Sequence, residues 1–253
     1  VSTAVASVDV AVNAGTRSVT RALDILTLLS TDSGPLHLAE VARAVGIPKS
    51  SALQLLRALT SRGFLTADAN GGYSLGVATF GIGASYLRSM TPVRSVEPEL
   101  KTLTHLLGVT SHFAVLDGDE VVYLAKNDPP DSAFGLASSL GARLSAVHTA
   151  VGKAQLAFCW DAGQIAAVGP EYPARIAEVR TLGYAVDDGD TAVGIRCVAA
   201  PVFDSRGCCG AVGISELLQL EKDNSEIAEY VKAAAARATE RLGGRTPVAG
   251  DAA

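Results

Sequence analysis

Between Val19 and Gly63, apolar residues recur at helical spacing in three successive short runs, each cut off by turn-forming residues. The first run is Val19, Ala22, Leu23 and Leu26, and Ser30 to Pro35 (STDSGP) stops it. The second is Leu38, Val41, Ala42 and Val45, ended by Gly46; after Ile47-Pro48 the third is Ala52, Leu55, Leu56 and Leu59, closed by Gly63. Spacing of i, i+3, i+4 and i+7 gathers side chains on one helical face, whereas a strand alternates with period two. The pattern therefore predicts three short helices packed on a shared core. Proline is compatible with a first helical turn, because its missing N–H would lack an intrahelical acceptor in any case.

Two short helices joined by a glycine-containing turn form a helix-turn-helix, whose second helix can lie in a major groove. The outward side of the third helix carries Lys49, Ser50, Ser51, Gln54 and Arg57. Such side chains hold phosphates or read base edges; glutamine can pair with adenine in a bidentate way. Arg17 and Arg21 of the first helix join them as DNA-contacting candidates. Leu53 faces the same side, toward either a thymine methyl or the first helix. Phe64-Leu65-Thr66 and Tyr73-Ser74-Leu75 flank ADANGG, which predicts a hairpin and hence a winged helix-turn-helix. The alternative is an ordinary three-helix core with a solvated polar face.

Charge is uneven along the 253 residues, although the total is −5. Arg17 to Met90 holds seven Lys/Arg against four Asp/Glu, or +3; the rest from Thr91 holds 14 against 21, or −7, and Asp9 supplies the remaining −1. A basic module joined to an acidic one is expected. A 48% apolar and 19% charged composition excludes a disordered chain. Four cysteines in no CxxC pair predict neither a disulfide scaffold nor a zinc site. The opening VSTAVASVDVAVNAG lacks a basic region, so it is a poor signal peptide, and no apolar run of membrane length occurs. A cytoplasmic location is expected.

Beyond Leu107 the period changes. HFAVLDGDEVVYLAK holds two β-rich runs around Asp117-Gly118-Asp119, and further runs cover Gly194 to Phe203 and Cys209 to Ile214 around DSRGC. Helices are expected with Val93, Val96, Leu100, Leu103 and Leu107 on one face, and over Val151 to Trp160, Ala174 to Leu182 and Asp223 to Leu242. This mixture predicts an α+β unit with a mostly antiparallel sheet.

SVTRALDIL, LAEVARAVGIPKSSALQLLRALTSRGFL and GGYSLG resemble the N-terminal domain of IclR-type bacterial transcription regulators, and the resemblance runs over roughly residues 17 to 242. It implies a winged helix-turn-helix over 17–76, a linker helix over 77–91 (GVATFGIGASYLRSM lies here), and a GAF-like effector and oligomerisation domain over 92–243. Residues 1–16 and 244–253 are expected as disordered tails. It also implies a homodimer or homotetramer on palindromic double-stranded operator DNA, with a small carboxylate-bearing effector and no cofactor. Many members have an arginine where this chain has Gln54, so the operator sequence is not transferable.

Three segments carry the effector expectation. LGARLSAVHTAVGKAQLAF places small residues at a helix entry, where exposed amides and the helix dipole favour an anion; the resemblance assigns that role to Ala150 and Val151. Val147 stands where the family motif has histidine, and His148 follows it. In GYAVDDGDTAVGIRCVAAPVFD, Asp187 and Cys197 match pocket positions, while Leu144, Ile195 and Leu136 match apolar walls. The nearby aspartates could ligate Mg2+ or Ca2+, but Gly189 and Gly183-Tyr184 favour a solvated turn over a metal site. In GAVGIS, Ser215 remains of two serines and Gly213 replaces the other, which predicts an enlarged pocket suited to an aromatic or branched acid.

Two other classes compete. A cysteine-dependent redox sensor or enzyme would need a low-pKa thiolate beside a base; Cys197 is otherwise a small buried hydrophobe, and Cys208-Cys209 occupies a turn. His37, His105 and His112 show no metal spacing and are expected at the surface or as caps. A sensor that has lost DNA binding predicts no salt-sensitive association with duplex DNA.

Overall fold

The computed structural model describes residues 14–31, 34–130, 139–217 and 224–247. It divides into two compact units, Val1–Tyr86 and Leu87–Ala253. The first contains α1 (Ala14–Thr31), β1 (Leu36–His37), α2 (Leu38–Ala44), α3 (Lys49–Ser61), β2 (Leu65–Ala67), β3 (Gly72–Leu75) and most of α4 (Val77–Ser89). The three residues Ala14 to Thr16, expected in the disordered tail, are helical, and the Thr20 hydroxyl donates to the Thr16 carbonyl there.

Val41, Ala42, Ala52 and Leu56 are buried, as the stripes of α2 and α3 predict. The α1 stripe is rotated: Ile25 and Leu29 enter the core, whereas Val19 and Leu23 are 59% and 58% exposed. This helix has two apolar faces at helical spacing, and only contact with α2 and α3 decides which one is covered. Glu40 accepts the His37 N–H at 2.7 Å, so His37 stands at the entry to α2 as a cap. The wing is a three-stranded antiparallel sheet, β1-β3-β2, in which the two-residue β1 is too short to show alternation in sequence. At its tip Asp68 Oδ1 accepts the Asn70 and Gly72 N–H groups, both at 2.8 Å.

The second unit runs α5 (Thr91–Leu107), β4 (Thr110–Asp117), β5 (Glu120–Asn127), β6 (Arg143–Ser145), α6 (Ala150–Cys159), α7 (Ala162–Val168), α8 (Tyr172–Leu182), β7 (Ala185–Asp188), β8 (Ile195–Asp204), β9 (Gly207–Leu217) and α9 (Asn224–Arg241). The sheet order is β6-β5-β4-β9-β8-β7, and every neighbouring pair is antiparallel. Odd and even residues of each strand face opposite sides. One side meets α5 and α9 through Val96, Leu100, Leu103, Val198, Ile214 and Val231. The other meets α6 and α8 through Ala114, Tyr123, Val151, Ala154, Ile176 and Ala199. The strands β6 and β7 and the seven-residue α7, too short for a clear period, are additions to the sequence reading. Gly244, placed by that reading in a disordered tail, is anchored: its N–H donates to the Thr239 carbonyl at 3.0 Å, and a Cβ there would lie 2.3 Å from the Phe203 oxygen.

The first layer is locked by a buried charge. Glu99 of α5 accepts Arg237 Nε at 2.7 Å and an Arg241 guanidinium N–H, both from α9, and its side chain is 6% exposed. Hydrogen bonds to charged groups contribute more than neutral ones, and the half-exposed arginines moderate the effect. Glu99→Gln is expected to lower the unfolding free energy by about 2 kcal/mol in urea denaturation. A loss below about 0.5 kcal/mol would show that solvent screens the pair.

Candidate functional site

In the first unit, α3 exposes Lys49, Ser50, Gln54 and Arg57 and half-exposes Ser51, with Ala52 and Leu56 buried on the opposite side. At 3.6 residues per turn, Ser50, Ser51, Gln54 and Arg57 fall within an arc of about 120°. Lys49 opens the helix outside that arc. Leu53 is half-buried. On α1, Arg17 is exposed and Arg21, one turn later, is half-buried. A polar arc of this kind has the side-chain chemistry to contact both base edges and phosphates. The wing residues 65–75 contain no lysine or arginine.

In the second unit the site forms where α6 meets the sheet. The Thr149 hydroxyl accepts the Gly152 N–H at 3.1 Å and caps the helix. Gly152 lies so close to the preceding turn that a Cβ would sit 2.0 Å from the Ala146 carbonyl oxygen. That approach places the Ala150 and Val151 amides, which belong to the first turn and have no intrahelical acceptor, at the positive end of the helix dipole. Both residues are buried.

Across the sheet, Asp187 pairs with Cys197 and Cys197 with Ser215, so the three share one face. Cys197 Sγ lies 3.1 Å from Ser215 Oγ. Burial pushes the Cys197 thiol up to about 12, with nearby Asp187 adding to the rise against the Ser215 hydrogen bond. A nucleophilic thiolate at Cys197 is therefore disfavoured. The adjacent row pairs Ala199 with Gly213 and Gly213 with His112.

His112 alters the expectation for Gly213. A Cβ on Gly213 would lie 2.8 Å from His112 Nε2, 3.0 Å from Val151 Cγ1 and 3.2 Å from Ala199 Cβ. The space that a serine would take is filled, so the pocket is not enlarged at this position. The ring, expected at the surface or as a cap, is 1% exposed and stands edge-on to Tyr123 with centroids 5.1 Å apart. Its Nδ1 has no hydrogen-bond partner among the described residues. Burial, helped by Lys126 and opposed by Asp128, pushes its pKa down to about 3. Burial likewise raises the pKa of Tyr123.

The aspartate turn is not merely solvated. Asp187 Oδ1 accepts the Asp190 and Thr191 N–H groups at 2.8 and 3.3 Å, and its Oδ2 accepts the Thr191 hydroxyl. Its carboxylate therefore shapes the 187–191 turn. Lys153 of α6 donates to the Val186 carbonyl at 3.2 Å and to Asp190 Oδ2 at 2.8 Å, and holds the Asp190 carboxyl below the usual carboxylate range. Asp188 accepts Arg196 Nε at 3.0 Å. Among the described residues no three His, Cys, Asp or Glu are arranged to hold a metal ion. Leu144 packs into the α6-side core and Ile195 is half-buried at the start of β8. Val147 packs inward while His148 is exposed, and Leu136 lies outside the described residues.

The fold thus brings Ala150, Val151, Asp187, Cys197, Gly213 and Ser215 to the α6 side of one sheet. His112, Tyr123, Thr149 and Lys153 escaped the sequence reading. Lys153 carried a usable signal, as the one charged residue in AVGKAQLAF. His112 carried a weaker one, its two-residue offset from Ala114 in a β-rich run.

A helix-turn-helix unit followed by a ligand-domain sheet defines a class, the two-domain transcription regulators. The IclR helix-turn-helix domain model matches residues 18–69, and the bacterial transcriptional regulator IclR C-terminal model matches 84–169 and 170–240. The HTH-type transcriptional regulator XynR of Escherichia coli (strain K12) is 30% identical over 230 residues, covering 85% of this chain and 91% of XynR. An IclR transcriptional regulator from Alicyclobacillus acidocaldarius superposes with TM-score 0.78 at 26% identity, covering 90% of this chain and 97% of that one. An IclR homologue from Microbacterium hydrocarbonoxydans, solved with 4-hydroxybenzoate, shares the fold with TM-score 0.77 at 18% identity over 89% of this chain and 98% of its own. The chain belongs to the IclR family of bacterial transcriptional regulators. It is therefore a regulator with a DNA-binding and a C-terminal effector domain, and the enzyme alternative falls. No helix among the described residues is long and apolar enough to cross a membrane.

His112 makes the site visible in a pH titration of stability. An unfolded histidine titrates near 6.5, while the folded one stays neutral down to about pH 3. Below the unfolded value the unfolded chain binds a proton that the folded chain refuses. This residue's contribution is thus complete above that value and is lost progressively as pH falls through the window toward 3. The unfolding free energy should carry a component falling by about 1.4 kcal/mol per pH unit between about pH 6 and pH 4. His112→Gln should lack it, and equal pH slopes in the two proteins would contradict a neutral buried His112.

Proposed function

We propose that this chain is a cytoplasmic, homo-oligomeric regulator that binds a palindromic operator through α3 and takes a small carboxylate-bearing effector at the start of α6. The observation that carries the effector reading is that the first turn of α6, with the Ala150 and Val151 amides, and the buried ring of His112 lie on one face of the sheet around Gly213. The amides suit a carboxylate, and a neutral imidazole can donate to or accept from a polar group on the same molecule. The 4-hydroxybenzoate bound by the Microbacterium hydrocarbonoxydans homologue supports this ligand class. Asp187 and Lys153 act as positioning residues, since both are committed to the 187–191 turn. Leu144, Ile195 and Leu136 remain wall candidates, with Cys197 and Ser215 on the sheet floor.

Oligomerisation is supported by α4, an apolar 13-residue helix with no buried residue, in which Val77, Phe80 and Ile82 are 82%, 74% and 61% exposed. Val19 and Leu23 of α1 are exposed as well, and apolar exposure of this kind marks an interaction site. Two copies would present two α3 helices to half-sites about 34 Å apart.

DNA binding is tested by footprinting the chain's own upstream region and titrating the protected fragment. The logarithm of affinity should fall against the logarithm of salt by about 0.9 per phosphate neutralised. Gln54→Ala should reduce discrimination against a mismatched operator by about 1–3 kcal/mol, and Arg57→Ala should weaken all sequences alike and lower the salt slope by about 1. Absence of any protected region would favour the sensor without DNA binding.

Effector binding is tested by calorimetry with aromatic and short-chain carboxylic acids and their methyl esters. At least one acid should bind while its ester does not, and His112→Phe should weaken the acid by about tenfold, or about 1.4 kcal/mol. Esters that bind as well as the acids would sink the anion site at α6.

A further inference from the structure

The α5 side of the second unit holds a groove that the α6 site does not use. It has a volume of about 660 Å³ and lies between α5, β5 and the last turn of α4, with Leu87, Val93, Leu100, Leu124 and Leu140 as its apolar lining. Pockets for small organic ligands span about 300–1,000 Å³ and are mostly apolar, with a few polar groups that fix orientation.

The groove opens where β5 parts from its neighbours. On one edge β6 pairs only with Glu120 to Val122, and the backbone bonds from Gly141 and to Ala142 end at Tyr123. Leu124 to Asn127 therefore have no strand on that edge among the described residues. On the other edge the β4–β5 register shifts: Phe113 pairs with Ala125 but Ala114 with Tyr123, leaving Leu124 as the extra residue. A bulge bends its strand and interrupts alternation. Leu124 and Ala125, consecutive in sequence, accordingly both join the α5-side core, while Tyr123 packs on the opposite side.

The rim reverses the charge of its surroundings. From Thr91 onward the chain carries −7, yet the groove is lined by Arg88, Arg94, Lys101 and Lys126 against Glu97 alone. Lys126 Nζ is already paired with Asp128 at 3.1 Å. Arg94, Glu97 and Lys101 recur at i, i+3 and i+7 along α5 and share one helical face, and all three are exposed, as is Arg88. Among the described residues these four have no ion-pair partner. Three cations and one carboxylate leave two positive charges beside an apolar trough.

We propose that this groove is a second ligand site, for a soluble phosphate monoester that carries an alkyl or aryl chain. A phosphate monoester bears about −1.5 to −2 charge at neutral pH, which balances the two uncompensated cations. Guanidinium forks take phosphate oxygens two at a time, and the lysine adds a point charge. A monocarboxylate would leave one cation unbalanced, and inorganic phosphate would leave the apolar lining uncovered. The chain lies along Leu87, Val93, Leu100 and Leu124, and the head group meets Arg88, Arg94 and Lys101.

Leu87 and Arg88 belong to the last turn of α4, so an occupant holds that turn against α5. The groove lies on the α5 side of the sheet and the acid site on the α6 side, so the two can fail separately.

The test is calorimetry of the full chain with octyl phosphate below its micelle concentration, beside ethyl phosphate and the neutral octyl glucoside. Octyl phosphate should bind at one site per chain, and the other two should each bind about tenfold or more weakly. Arg94→Ala combined with Lys101→Ala should weaken octyl phosphate by about tenfold or more, whereas Glu97→Gln should tighten it severalfold. All three side chains are exposed, so these variants should retain the circular dichroism spectrum and melting temperature. Hydrogen exchange should slow over 87–101 and 124–127 in the complex and stay unchanged over 150–157. Octyl glucoside binding as tightly would reduce the groove to an apolar trap, and ethyl phosphate binding as tightly would reduce it to surface charge. Either result would overturn the proposal, as would an affinity unmoved by the charge variants or protection confined to α6. Capture on phosphatidic acid vesicles without binding of the monomeric ester would make the surface a membrane contact and overturn it as well.

Discussion

The second unit depends on a side chain that is missing. Gly152 lets α6 approach the Ala146 carbonyl so closely that no Cβ fits between them, and everything else on that side of the sheet follows from the approach. Thr149 can cap the helix, and Ala150 to Ala157 are buried without interruption. Two polar side chains travel inside with them, and both are satisfied: Gln155 donates to the Val151 carbonyl at 2.8 Å, and Lys153 to Val186 and Asp190. Burial of such groups is tolerable only when they find partners. One constraint thus fixes the start of the helix and, at the far end of its ten residues, the position of Cys159.

The polar chemistry on this face has a particular sign. Lys153, the one lysine buried among the described residues, is neutralised by Asp190, and Asp187 already receives three donors within its own turn. Neither is a free counter-charge for a ligand. What remains is a set of fixed dipoles, the first-turn amides, and a neutral imidazole. On the proposed reading such a face would hold an anion by hydrogen bonding in a desolvated place, where donors are stronger than in water. It would also discriminate by shape, because His112, Val151 and Ala199 have closed the space above Gly213.

Sequence pattern made much of the scaffold legible. The stripes of α2 and α3, the α5 face and the β4–β5 and β8–β9 pairs rest on local periodicity, and local periodicity is visible in one sequence. The failures were tertiary. On α1, two apolar faces compete and only packing chooses Ile25 and Leu29 over Val19 and Leu23. The imidazole of His112 is buried because β4 pairs with β9 in a register that sets it opposite Gly213, about a hundred residues away in a chain whose antiparallel pairs bring distant segments together. The side of the sheet that Cys208 faces is decided by a bulge, which shifts alternation by one and leaves no mark in composition.

The reader's weak charge fits the same physical picture. The wing carries no lysine or arginine, and Asp68 is spent on closing its tip, so cationic contacts among the DNA candidates come from Arg17, Arg21, Lys49 and Arg57. Four cations per copy, one of them half-buried, give a single reader little hold on a duplex at physiological salt. Linking a second reader makes its binding effectively intramolecular and raises the total without any new contact per copy. On the proposed reading, the apolar surface left uncovered on α4 would supply the means of linking them. Self-association is then not an addition to DNA recognition but the condition for it: the charge that the reader lacks would be made up by pairing.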